Sequence, residues 1–129
     1  MQSNVENELV QITETKKIIN VKRAMIDNSS FDDISAKGVK ITNANLSDLE
    51  IEGAQLGGAY IHNIGMPPKG HPAYNADARQ RPLKFEDCDL NNSIITNCNL
   101  SGLTIDDCNL SGMTINGVPV EAMLKAYKK

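Results

Sequence analysis

A beat of five residues constrains this chain more than any other feature. From Val21 to Ile61, and again from Phe85 to Ile115, every fifth position is large and apolar, with Ala36 the single small one. These sixteen central positions share two companions. Two residues earlier stands a second apolar or small residue, such as Ala44 before Leu46 or Cys98 before Leu100; two residues later stands Gly, Asn or Asp in fifteen cases, Arg23 being the exception. Side chains two apart in extended backbone point the same way, so each pair faces one interior. Gly, Asn and Asp reach left-handed backbone angles at least cost, so their recurrence at one phase predicts a corner after every short strand. Three-residue strands with a corner every five residues cannot extend into flat sheets. They predict an all-β solenoid, in which each coil pairs with the coils above and below. No window from 19 to 117 holds the three-and-four spacing of an amphipathic helix.

Composition narrows the class. At 129 residues the expectation is one domain. Aromatics make up 4% and Trp is absent, which suits a narrow core of Leu, Ile and Ala. Met1 to Leu9 contain no apolar run, so neither a signal peptide nor a membrane span is expected, and a cytoplasmic location follows. Cys88, Cys98 and Cys108 share the inward small-residue phase. They are expected to pack as small apolar side chains and to stay reduced, because stacked neighbours with parallel Cα–Cβ bonds suit a disulfide poorly. His62 and His71 lack ligand-spaced companions, so no metal is expected, and no cofactor is implied. There is no Gly-x-Ser-x-Gly and no phosphate-cradling Gly loop, which argues against an enzyme.

The units Ala44-Asn45-Leu46-Ser47-Asp48, Ala54-Gln55-Leu56-Gly57-Gly58, Cys98-Asn99-Leu100-Ser101-Gly102 and Cys108-Asn109-Leu110-Ser111-Gly112 resemble the pentapeptide-repeat family. Its motif is a small residue, any residue, Leu or Phe, then two polar residues. The resemblance covers about three quarters of the chain. It implies a right-handed quadrilateral β-helix with four repeats per coil, hence about four coils. Ile34, Val39, Leu49, Leu103 and Met113 depart from the family by filling the small position with a large residue. Ile34 is followed by the small Ala36, which reads as volume compensation.

The ends and one interruption break the beat. Residues 1–18 are expected to form an N-terminal cap: Ser3 and Glu6 suit a short helix through Val5, Leu9 and Ile12, while Val10-Gln11-Ile12 suits a strand equally well. The repeats occupy 19–117. In 118–129, Pro119 opens a segment with Val120, Met123, Leu124 and Tyr127 on one helical face, predicting a C-terminal capping α-helix. Between Ile61 and Phe85 the spacing is 24, and the excursion at 65–82 carries Pro67, Pro68, Pro72 and Pro82. Its His71, Tyr74, Arg79 and Arg81 are the candidates for a binding loop.

The net charge of −3 is unevenly spread: residues 1–26 sum to +1, residues 27–117 to −6 and residues 118–129 to +2. If the excursion replaces a single corner, Asp27, Asp48, Glu50, Glu86, Asp87, Asp89, Asp106 and Asp107 fall along one edge; a further quarter-turn at the excursion is expected to scatter them. Asp48, Asp87 and Asp107 occupy the corner phase, whereas Asp27, Glu50, Glu86, Asp89 and Asp106 are not demanded by the turn. The expectation is a non-enzymatic scaffold, monomer or weak dimer, whose acidic edge meets a basic or DNA-binding protein, with no direct contact to nucleic acid or membrane. The family resemblance implies an alternative. Some pentapeptide-repeat proteins mimic the DNA duplex and engage type II topoisomerases such as DNA gyrase; against this, four coils at ~4.8 Å span only about 20 Å.

Overall fold

A computed structural model gives the fold of residues 8–128. Ser3, Val5 and Glu6 of the expected cap lie outside these described residues, and residues 8–18 form neither helix nor strand. The chain divides into two units between Ala59 and Tyr60, where the sequence suggests one domain. A coil touches only its neighbours, so few contacts cross any one point along it.

All sixteen expected corners are present. The backbone φ is positive at each, from +49° at Arg23 to +81° at Gly117. The corners come in two alternating kinds. In one, the carbonyl of the central residue accepts a hydrogen bond from the N–H three residues on: Ile26 from Ser29 (3.2 Å), Ala36 from Val39 (3.3 Å), Leu46 from Leu49 (3.1 Å) and Leu56 from Ala59 (2.8 Å). After the excursion Leu90 accepts from Ser93 (3.2 Å), Leu100 from Leu103 (3.0 Å) and Leu110 from Met113 (3.1 Å). Positive φ at the third residue of each is the signature of a type II turn. The intervening corners, at Arg23, Asp33, Asn43, Gly53, Asn63, Asp87, Asn97 and Asp107, are open bends.

The expected ladders between coils are not formed. Among the described residues the strands are β1 (Thr114–Ile115) and β2 (Val118–Pro119), an antiparallel pair with Ile115 opposite Val118. The central apolar residues stay largely exposed, Ile105 at 45% and Phe85 at 61%. The reason is the range of the forces. A corner is set by the local preferences of one or two residues, whereas a ladder bond exists only where the next coil lies at strand spacing.

The last corner also differs from expectation. Asn116 (φ +49°) and Gly117 (φ +81°) are both left-handed and join β1 to β2, which is a type I′ hairpin rather than another coil corner. Behind it α1 spans Val120–Tyr127, the predicted helix. Pro119 (φ −61°, ψ 128°) precedes it, with Glu121 in the first turn and Lys125 in the last, each matched to the helix dipole. The helix is tied back to the repeats: the Val120 N–H donates to Met113 O (3.0 Å) and the Gly112 N–H to Glu121 Oε1 (3.4 Å). Val120 is buried at 8% exposure, whereas Tyr127, expected on the same face, is exposed.

Candidate interaction site

Carboxylates and corners are interleaved in this chain, and the structure separates their roles. In the first unit a cleft is lined by Phe31, Asp32, Asp33 and Ile34 on one side and by Glu52, Gly53 and Ala54 on the other. Asp32 and Glu52 are twenty residues apart, as are Asp33 and Gly53, so the two sides of the cleft are segments four repeats apart in sequence. Three carboxylates line this cleft, and none of them belongs to the edge expected from sequence.

The expected acids divide by corner type. Asp27 precedes the hydrogen-bonded corner at Asn28, and Glu50 follows the one at Asp48. In the second unit Glu86 and Asp106, twenty residues apart, each enter an open bend, at Asp87 and Asp107. Lys84 Nζ lies 3.4 Å from Glu86 Oε2, an exposed pair of small energetic consequence.

Asp89 is a turn residue after all. Its Oδ1 accepts from the Asn91 backbone N–H (3.1 Å) and from Asn91 Nδ2 (2.7 Å). Asn45, Asn99 and Asn109 make the same backbone bond to Ser47, Ser101 and Ser111, at 3.0, 2.9 and 3.0 Å. All four side chains brace hydrogen-bonded corners in the manner of Asx turns. The Asn91 side-chain bond, then the Asn91 backbone bond, hold the Asp89 carboxyl below the usual carboxylate range, because both stabilise its charged form.

The cysteines support the open corners. Each is free and exposed, not packed inside as expected, and each thiol donates to the carbonyl two residues back: Cys88 to Glu86 (3.3 Å), Cys98 to Thr96 (3.3 Å) and Cys108 to Asp106 (3.1 Å). These bonds span the bends at Asp87, Asn97 and Asp107, where the backbone turn bond is missing.

The excursion is a run of local turns. The His71 N–H donates to Pro68 O (3.0 Å), Tyr74 to His71 (2.9 Å) and Ala78 to Asn75 (3.1 Å). His71 Nδ1 accepts from the Ala73 N–H (3.0 Å), and Asn75 Oδ1 from the Asp77 N–H (3.0 Å). Arg79 Nη1 donates to the carbonyls of Ala76 (2.8 Å) and Ala78 (3.0 Å). His71 and Arg79 thus spend hydrogen-bonding capacity on shaping the loop, while Tyr74 is half-exposed at 41%. Outside it, the His62 ring stacks on Tyr60 with centroids 4.0 Å apart. Among the described residues no group of three His, Cys, Asp or Glu side chains is placed to hold a metal ion. No helix there is long and apolar enough to cross a membrane.

Residues 84–118 match the family model for pentapeptide repeats, in eight copies. That stretch of the chain is therefore built of pentapeptide repeats. Such repeats in general form β-helix-like solenoids and serve as scaffolds for interaction. The five-residue units from Val21 to Ile61, outside that match, carry left-handed corners at the same phase. Comparison with curated proteins and with solved structures finds no match.

Proposed function

We propose that this pentapeptide-repeat protein is a non-enzymatic, cytoplasmic interaction scaffold, a right-handed quadrilateral β-helix of about four coils that engages a basic protein through carboxylates at its open corners. The observation that carries this reading is the recurrence of acids at open corners twenty residues apart. Asp32, Asp33 and Glu52 line one cleft in the first unit; Glu86, Asp87, Asp106 and Asp107 repeat the arrangement in the second. Like charges at adjacent rungs disfavour the fold by roughly 0.2–1 kcal/mol per close pair before salt screening. A basic partner relieves that repulsion, so its binding weakens steeply as salt rises. Pentapeptide repeats as a family support the scaffold half of this reading, and the spacing of Asp32 and Glu52 supports four repeats per coil.

The test compares the wild-type chain with a variant in which Asp32, Asp33, Glu52, Glu86 and Asp106 become Asn or Gln, each used as bait against soluble cell extract. A basic partner retained by wild type at low salt and lost by the variant, with unchanged circular dichroism, is the expected result. Equal capture by both chains defeats the proposal. The duplex-mimic alternative places a DNA-binding enzyme in the partner's role, and inhibition of gyrase supercoiling by wild type but not by the neutralised variant would select it.

A further inference from the structure

Corner type acts as a parity marker along the chain. Ile61 leads into an open bend at Asn63 and Phe85 into an open bend at Asp87, and from each of them the two corner kinds alternate without a break along the repeats. Two positions of the same kind in an alternating coil are an even number of sides apart. A splice that puts Phe85 on the side next after Ile61 sets two open bends in succession and breaks the pattern. We infer that Met66 is a seventeenth rung, that Phe85 stands two sides beyond Ile61, and that the excursion leaves the coil between them, over residues 67–82.

Independent features agree. Ile64 and Met66 keep both inward phases, five residues after Ala59 and Ile61. Met66 is 44% exposed, level with the central residue Ile105 at 45%. In this register Tyr60 and Ile94 become vertical neighbours on the outer surface. They are the two large apolar residues at the outward phase of the second unit's repeats, 80% and 85% exposed, and pairing them covers apolar surface that is otherwise wet. The next even choice, four sides, requires two more rungs from 67–82. Three consecutive local turns and the prolines at 67, 68, 72 and 82 occupy that stretch.

The register has a consequence for the surface. Within the second unit Glu86, Asp87, Asp106 and Asp107 all follow central residues that lead into open bends. Lys69 and Arg79 are carried on the corner adjoining the acid-bearing one at Asp87. A partner reaching Glu86 and Asp106 therefore meets the excursion as well.

This inference rests on the stacked-coil reading proposed above, and the test separates the two. With Cys88, Cys98 and Cys108 replaced by Ala, spin labels are attached to the full chain at H62C paired with T96C, S101C or E86C. The two-sided register makes Thr96 the vertical neighbour of His62, at about the 4.8 Å strand spacing. A one-sided register selects Ser101, and a four-sided one Glu86. Strong dipolar broadening in the 62/96 pair alone is the expected result. Broadening that favours 62/101 or 62/86 overturns the register while keeping the stacked coil, and no broadening in any pair overturns both. A second measurement needs no substitution: under dilute peroxide, Met66 of the wild-type chain, 44% exposed, is expected to oxidise about twofold more slowly than the outward Met25, 88% exposed, because oxidation follows exposure. Equal rates would remove Met66 from the coil.

Discussion

The repeats and the C-terminal segment Thr114–Tyr127 hold their shape by different means. Along the repeats, order is written one corner at a time. Each left-handed residue turns the chain, and bonds reaching two or three residues brace the turn. In the C-terminal segment a hairpin and helix close on each other and on Met113, and Val120 is buried. The contrast shows how far local preference reaches. It bends the chain fifteen times as expected, but burial begins only where an element folds back on its neighbour.

Substitutions that attack each kind of order separately sharpen that contrast. The largest effect is expected at Val120, the one buried residue among those described. Val120→Asp places a charge against Met113 and the hairpin and is expected to cost more than about 2 kcal/mol, detaching the helix. Loss of helical circular dichroism with the repeat signal retained is the expected outcome. An unchanged melting curve would show that the C-terminal segment owes nothing to this contact.

A smaller effect is expected at the corners, where adjacent glycines supply their own control. Gly58 sits at φ +79° and Gly57 does not have positive φ; an added Cβ meets no atom within 4 Å at either. Gly58→Ala is therefore a test of backbone angle alone and is expected to destabilise by about 1 kcal/mol. Gly57→Ala removes freedom from the unfolded chain without strain and is expected to be neutral, or to stabilise by up to about 1 kcal/mol. Equal responses in denaturant titrations would mean that this corner is not held in its left-handed form.

Much of this was legible in the sequence because corners and helix ends are local. Asn, Asp and Gly at one phase announced the bends, and Pro119 with Val120, Met123 and Leu124 announced α1 at its observed bounds. Even Arg23, which breaks the residue pattern, keeps the corner angle, with φ +49°. Asn116-Gly117 was legible too and was absorbed into the beat instead: Gly117 fell on the fives, which hid a dipeptide that favours a type I′ hairpin. The alternation of open and closed corners was not readable. Asn28 and Asn43 are the same residue type at the same phase, and only the backbone bond tells them apart. The cleft at Asp32, Asp33 and Glu52 depends on how segments twenty residues apart meet, which residue identity does not carry.

The finest distinction concerns Asp89, which sequence assigned to a charged edge and the structure assigns to a turn. Asn45, Asn99 and Asn109 do the same work without charge, so Asp89→Asn is expected to preserve the corner at Asn92 while Asp89→Ala weakens it. Acid separates the charged brace from the neutral ones. The Asp89 carboxyl is depressed in the folded chain, through the Asn91 side chain first and its backbone N–H second. Its contribution is therefore fully present above the carboxyl's unfolded value and disappears as pH falls through the lower folded one. Stability followed from neutral to acid pH should decline less in Asp89→Asn than in wild type, and the Asp89 carboxyl carbon should titrate at lower pH in the folded than in the denatured chain. Identical titration in both states would return Asp89 to the set of carboxylates free to meet a partner.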